Sequence, residues 1–168
     1  MDALELLQAA FEHLHQAVRD DLAQVEREWL WWQPGPGLNH IGFLHWHLVR
    51  DEDTVLAYLA GEEDVWQSGG WSERLGMDPE AQGTGLDPAE LASFRYDTDT
   101  FTGYRDHVWA TTSPRLARLE PAALREAAWP GSTWDVAQQL VEGCLCHSWL
   151  HLGEVRMIMG LRGWRFRE

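Results

Sequence analysis

The chain has 168 residues, which predicts one domain spanning residues 1–168 with enough material for a single core. It carries 27 acidic against 13 basic side chains, a formal net charge of −14. This balance argues against nucleic-acid partners and against docking on anionic lipid, because both require clustered lysine and arginine. No apolar run approaches the roughly 18 residues of a membrane span. The first residues lack the basic start and apolar stretch of a signal peptide, so we expect neither a membrane partner nor secretion.

Hydrophobic residues recur at steps of three and four in four segments, which predicts four amphipathic helices. These helices are expected at about residues 2–29, 38–59, 97–119 and 134–161. Asn39 is expected to cap the start of the second helix, and Gly61 to end it. Ser132 or Thr133 is expected to cap the fourth helix.

A long, glycine-rich connection of about residues 62–86 joins the second and third helices. Connections of this length within a compact domain are usually functional or cross one end of the fold. Trp66 and Trp71 are therefore expected to line the mouth of a pocket, and Asp87 before Pro88 predicts a capped turn. Strand signals are confined to residues 126–129. The sequence predicts an all-α four-helix bundle with a long connection between helices 2 and 3.

The two cysteines, Cys144 and Cys146, are two residues apart on the fourth predicted helix. Side chains at that spacing point away from each other, so no disulfide can join them. We therefore expect free, reduced thiols and a cytoplasmic protein.

The same helix carries His147 and His151, four residues apart on one face, where two imidazoles can bind one divalent metal ion. Both continue an apolar stripe that includes Val136, Leu140 and Cys144. Burying an unpaired polar group costs about 1–3 kcal/mol, which a metal ion or specific hydrogen bonds would offset. The pair therefore indicates either a metal site or two histidines that make specific hydrogen bonds in the core.

The second predicted helix offers the third ligand. His47 lies in its apolar sector, whereas His45 lies about 160° away around the helix axis, so His47 is preferred. Three histidines suit Zn²⁺, Ni²⁺, Fe²⁺ or Cu²⁺ and leave a coordination position open, as in catalytic metal sites.

Glu154 projects near the same face as the histidine pair. It would hydrogen-bond a ligand imidazole or move a proton from metal-bound water, unless it pairs with Arg156 or Arg162 on the helix surface. Cys144 would add a thiolate ligand only if deprotonated, and we favour a buried apolar role for it.

Other polar residues near the site have two interpretations. Asp51 and Glu52 lie one turn beyond His47. Either one of them orients an imidazole, or they belong to a solvated face or pair with Arg50. Three further histidines are expected on the surface: His13, His15 and His107. The chain lacks the glycine-rich nucleotide loops, the Gly-x-Ser-x-Gly elbow and the His-Glu-x-x-His motif of other enzyme classes.

Two stretches resemble motifs of the DinB-like superfamily. Residues 39–53, Asn-His-Ile-Gly-Phe-Leu-His-Trp-His-Leu-Val-Arg-Asp-Glu-Asp, are similar to its second-helix motif. Residues 147–154, His-Ser-Trp-Leu-His-Leu-Gly-Glu, followed by Met-Gly-Leu-Arg-Gly at 159–163, are similar to its fourth-helix motif. The resemblance covers nearly the whole chain.

This resemblance implies an up-down-down-up four-helix bundle, often a homodimer, with a metal held by His47, His147 and His151. Some members use the metal to activate a low-molecular-weight thiol, among them the mycothiol-dependent maleylpyruvate isomerases and the bacillithiol transferases. The link of the family name to DNA damage does not imply DNA binding, and the acidic charge agrees with that.

The resulting hypothesis is a metal-dependent thiol S-transferase or hydrolase that acts on a small-molecule substrate. A divalent ion (Zn²⁺, Ni²⁺ or Fe²⁺) would lower the pKa of a bound thiol or water, with Glu154 as the catalytic residue. The alternative is a non-catalytic, stress-related binding protein. Its metal would be structural, or its histidines would only form hydrogen bonds.

Overall fold

A computed structural model describes residues 2–165, and helices account for most of this range. The helices are α1 Ala3–Leu22, α2 Ile41–Ala60, α3 Val65–Ser68, α4 Trp71–Leu75, α5 Pro88–Ser93, α6 Thr98–Ala117, α7 Val136–Gln138 and α8 His147–Leu161. A π-helical segment, Gln139–Cys146, joins α7 to α8 without a break. Extended structure in the described residues is limited to an isolated bridge between Ala127 and Asp135. The predicted all-α class is confirmed.

The long helices share one apolar core. Helix α2 packs against α6 and α8, and α1 packs against the same two helices. Helix α2 is buried along most of its length and carries both apolar and polar side chains inward. It therefore determines where the histidines and carboxylates of the core lie. Across residues 2–165, no helix combines the length and apolar character needed to cross a membrane.

The first helix is shorter than predicted. It ends at Leu22, and residues Arg27–Trp29 form a separate 3₁₀ turn. The chain then folds back onto the start of α2, where the backbone N–H of Gly42 donates to the Leu30 carbonyl at 2.7 Å. This return path requires the chain to leave the helix early, although the apolar periodicity continues.

The caps of two helices differ from those predicted. The side chain of His40 caps α2, because its Nδ1 accepts a hydrogen bond from the backbone N–H of Phe43 at 3.0 Å. Asp135 caps α7 in a reciprocal capping box with Gln138, so the Ser132 or Thr133 cap was wrong. The predicted stop at Gly61 is confirmed, with Gly61 in the left-handed conformation.

The connection after α2 is partly helical, since it contains α3 and α4. The expectation that Trp66 and Trp71 line a pocket mouth was wrong. Trp66 is fully buried, and its indole N–H donates to the Pro79 carbonyl at 3.1 Å. Both rings pack against Tyr104 of α6, which anchors the connection to the core. The predicted Asp87 cap before Pro88 is present.

Candidate metal centre

The three histidines singled out in the sequence come together between α2 and α8. One ring nitrogen from each of His47, His147 and His151 lies within 4.8 Å of the others, so the group could hold a metal ion. The Nε2 atoms of His147 and His151 are 2.8 Å apart. The ring of His47 lies 5.2 Å and 5.1 Å, between ring centres, from those of His147 and His151.

Two of the three rings are oriented by oxygen partners at their Nδ1 atoms. Nδ1 of His47 donates to the backbone carbonyl of Gln82 at 3.2 Å. Nδ1 of His147 lies 3.4 Å from the Asp51 carboxylate. Such contacts at the outer nitrogen fix the tautomer and leave Nε2 as the inward lone pair, as in metal-binding histidines.

The third ring lies beside Glu154. Oε1 of Glu154 is 3.4 Å from Nδ1 of His151, which is within ion-pair distance, but this nitrogen makes no hydrogen bond in the described residues. The other oxygen of Glu154 accepts a hydrogen bond from the Asn39 amide at 3.1 Å. Arg156 and Arg162, the alternative partners expected from the sequence, pair instead with Asp21 and Glu28.

The protonation states of the cluster differ from residue to residue. Burial lowers the pKa of His47, and burial and the neighbouring His147 lower the pKa of His151. The hydrogen bond to Asp51 raises the pKa of His147. At neutral pH the first two rings are therefore neutral, which is the state in which imidazole binds a metal ion.

The π-helical segment determines where the histidines of α8 point. In a π-helix each turn contains more residues than in an α-helix, so the residues that follow are rotated around the axis. Ser148, Leu152 and Val155 consequently occupy the buried face of α8, while His147 and His151 lie half-buried at its edge. The expectation that both histidines continue the buried apolar stripe was wrong for this reason.

The connection after α2 contributes to the site through Gln82 and Gly83, which sequence reasoning missed. Gly83 has a φ of +76°, and a Cβ placed there would lie 2.6 Å from Nδ1 of His47. The His47 ring is also stacked on Phe43, with 5.6 Å between ring centres. His47 is therefore contacted by both a helix side chain and a loop backbone. Nothing local in a glycine-rich loop indicates that contact.

Cys144 takes the apolar role favoured for it. It is buried, and burial raises the pKa of its thiol well above the usual value. Both cysteines are free thiols.

His15 was wrongly expected on the surface. It is buried, and its Nε2 contacts both oxygens of Glu52 at 2.9 and 3.0 Å, while Thr112 donates to the same carboxylate. The adjacent carboxylates Asp51 and Glu52 thus orient two different imidazoles. His13 and His107 are exposed, as expected.

No family model matches the sequence, and no curated protein matches it either. The fold is similar to the crystal structure of a conserved protein from Enterococcus faecalis, with a TM-score of 0.81 and 20% sequence identity. The match covers 94% of this chain and 95% of the other. At this identity the likeness shows a shared fold only.

Proposed function

We propose that this protein is a DinB-like four-helix bundle whose three-histidine centre holds a divalent metal ion and activates a thiol or water for attack on a small-molecule substrate. The reaction class is thiol S-transfer or hydrolysis. One observation carries the proposal: His47, His147 and His151 present ring nitrogens within 4.8 Å of one another. The proposal includes the up-down-down-up order of the helices, the homodimer and the cytoplasmic location that the family resemblance implies.

The chemistry of the residues fits such an ion. Three imidazole nitrogens are a ligand set that Zn²⁺, Ni²⁺ and Fe²⁺ accept. Direct contact between His147 and His151 can satisfy only one hydrogen bond for the pair, whereas an ion would engage both lone pairs. The acceptors at Gln82 and Asp51 support the tautomers that such binding requires.

Access to the centre supports a catalytic role over a closed structural site. His47 is 8% exposed at the inner end, whereas the His147 side chain is 32% exposed. The Glu154 side chain, which lies beside His151, is 42% exposed. The centre is therefore partly open to solvent on the side of α8 that carries Glu154, which favours access by a small molecule.

When bound, a divalent ion lowers the pKa of a thiol or water so that the nucleophile exists at neutral pH. The chain itself supplies the proton acceptor, because the Glu154 carboxylate lies beside His151 at the open side. The Asn39 amide donates to one of its oxygens and positions the other toward the histidines. Three protein ligands would leave a coordination position open for the substrate. The histidines would therefore hold the metal ion, and Glu154 would move the proton.

The experiment loads the full chain with Zn²⁺ and measures conjugation of small thiols to monobromobimane and hydrolysis of p-nitrophenyl acetate. Treatment with a chelator should abolish one of these activities and leave the far-ultraviolet circular dichroism unchanged. Glu154→Gln should keep the metal and slow that activity about a hundredfold, since general acid–base groups contribute roughly that much. Glu142→Gln, an exposed carboxylate on the same helical run, is the matched control.

A different result would identify the centre as structural. If chelation unfolds the protein and neither activity exceeds the rate without protein, the metal stabilises the fold and the catalytic proposal is refuted.

A further inference from the structure

A cavity lies on the side of α2 that carries His45, away from the histidine centre. It has a volume of about 340 Å³, a size at the small end of ligand sites. It is formed by the end of α1, the segment that follows α1, the start of α2 and the start of α6. We propose that this cavity binds a small organic carboxylate with an apolar body. The inference is independent of the metal centre and of its proposed activity.

Charge is the first argument. In a chain with 27 acidic residues, the lining contains two arginines, Arg19 and Arg105, and no carboxylate. Their guanidinium groups lie 4.6 Å and 4.9 Å from the centre of the same ring, Trp109. Contact with one ring brings the two positive charges close together at the cavity lining, which favours an anion there. Guanidinium groups match the planar geometry of a carboxylate.

Arg105 retains donor capacity for such a ligand. Its Nε and Nη2 both donate to the exposed carboxylate of Asp106, at 3.0 and 2.8 Å. Its remaining nitrogen, Nη1, makes no hydrogen bond to any residue between 2 and 165. Arg19 is exposed and held against Trp109 by its ring contact. The two arginines therefore offer donors among the residues that line the cavity.

His45 is the second argument, because it is a buried polar side chain without a partner. It lines the cavity and is 6% exposed, and within the described residues its Nε2 has no hydrogen-bond partner. Its ring is fixed edge-on against Phe101 at 4.8 Å. Burial, together with the charge of Arg105, lowers the pKa of His45 well below its usual value, so the ring is neutral. A buried unpaired imidazole nitrogen is costly, and a ligand oxygen would satisfy it.

The remaining walls of the cavity determine which chemical group the bound carboxylate carries. Leu22, Val25, Leu30 and Phe101 line the cavity, and most of its surface is apolar. A bare inorganic anion would leave these walls without contacts, whereas a short alkyl or aryl group would fill them. Small monocarboxylates such as hexanoate satisfy both parts of the site.

The experiment is a calorimetric titration of the full chain, in a His151→Ala background treated with a chelator, so that no carboxylate binds a metal ion. The probes are hexanoate, hexan-1-ol, which has the same body without the charge, and inorganic phosphate, which has charge without the body. Hexanoate should bind at one site, about tenfold more tightly than either control.

Variants test the residues. Arg19→Gln, Arg105→Gln and His45→Phe should each raise the dissociation constant for hexanoate about tenfold. Arg125→Gln removes the same charge at an exposed position outside the cavity and should leave the constant unchanged. Arg19 is exposed, so its variant tests the site even if His45→Phe fails to fold. The proposal is overturned if hexanoate gives no saturable heat, if hexan-1-ol or phosphate binds equally well, or if Arg19→Gln and Arg105→Gln bind like Arg125→Gln.

Discussion

Two glycines of one loop make it possible to test the contact with His47 separately from backbone strain. Gly83 and Gly85 have nearly the same conformation, with φ of +76° and +77°. A Cβ on Gly83 would lie 2.6 Å from Nδ1 of His47 and 2.9 Å from the Trp46 ring, whereas a Cβ on Gly85 would have no atom within 4 Å. Gly83→Ala therefore adds a collision to the strain, and Gly85→Ala adds the strain alone.

The magnitudes follow from those contacts. A left-handed conformation costs an alanine about 1–2 kcal/mol, so Gly85→Ala should lose about that much free energy of unfolding without metal. Gly83→Ala should lose more, because the collision adds to the same strain. In Gly83→Ala, the loop or the His47 ring must also move, and the hydrogen bond from Nδ1 to the Gln82 carbonyl is lost. Removing such an outer contact typically weakens metal binding about tenfold to a hundredfold, or about 1.4–2.8 kcal/mol.

The assay pairs urea unfolding of the metal-free proteins with titration of Zn²⁺ against a chromophoric chelator. We expect a larger loss of unfolding free energy in Gly83→Ala than in Gly85→Ala, and weaker Zn²⁺ binding in Gly83→Ala only. Equal Zn²⁺ affinities in Gly83→Ala, Gly85→Ala and the parent would refute the conclusion that this loop positions His47.

Three further predictions concern buried polar groups. Asp51→Asn removes the carboxylate 3.4 Å from His147 and should weaken Zn²⁺ binding about tenfold in the same titration; an unchanged affinity would speak against an orienting role for Asp51. Asp53→Ala leaves Arg115, which pairs with it at 3.1 Å in the core, without its buried partner and should cost about 3–5 kcal/mol in urea unfolding; a loss below about 1 kcal/mol would contradict this. Burial lowers the pKa of His40 from 6.5 to about 4 in the folded protein. As the pH falls, His40 is therefore protonated in the unfolded chain before it is protonated in the folded one, and the stability that is present above pH 6.5 is lost between pH 6.5 and 4. Over this pH range the parent should lose about 3 kcal/mol more free energy of unfolding than His40→Asn, whose side chain can still cap α2. Parallel stability–pH curves for the two proteins would contradict this prediction.

Local sequence signals were sufficient for the helical class and for several helix ends. Apolar periodicity located the long helices, and Asp87 and Gly61 marked ends where the local chemistry acts alone. The signals failed where distant contacts decide. The chain leaves α1 at Leu22 to return to α2, and His40 rather than Asn39 caps α2 because the Asn39 amide is engaged by Glu154.

The three histidines of the candidate site were predictable because their positions follow from helix periodicity within α2 and α8. Four-residue spacing placed His147 and His151 together, and the apolar sector of α2 selected His47 over His45. The burial of His15 could not be predicted from its own helix, because its partner Glu52 lies 37 residues away in the chain. The π-helical segment before α8 was equally invisible in the apolar pattern, and it moves the histidines to the edge of the buried face.

The most direct test of the metal centre is the metal content of untagged protein, measured by inductively coupled plasma mass spectrometry. The parent is compared with His47→Ala, His151→Ala and the exposed control His107→Ala, each before and after incubation with Zn²⁺ and Ni²⁺. We expect about one metal ion per chain in the parent and in His107→Ala, and loss of the ion in the other two variants. A parent that retains no metal after incubation, or variants that bind as much as the parent, would contradict this expectation.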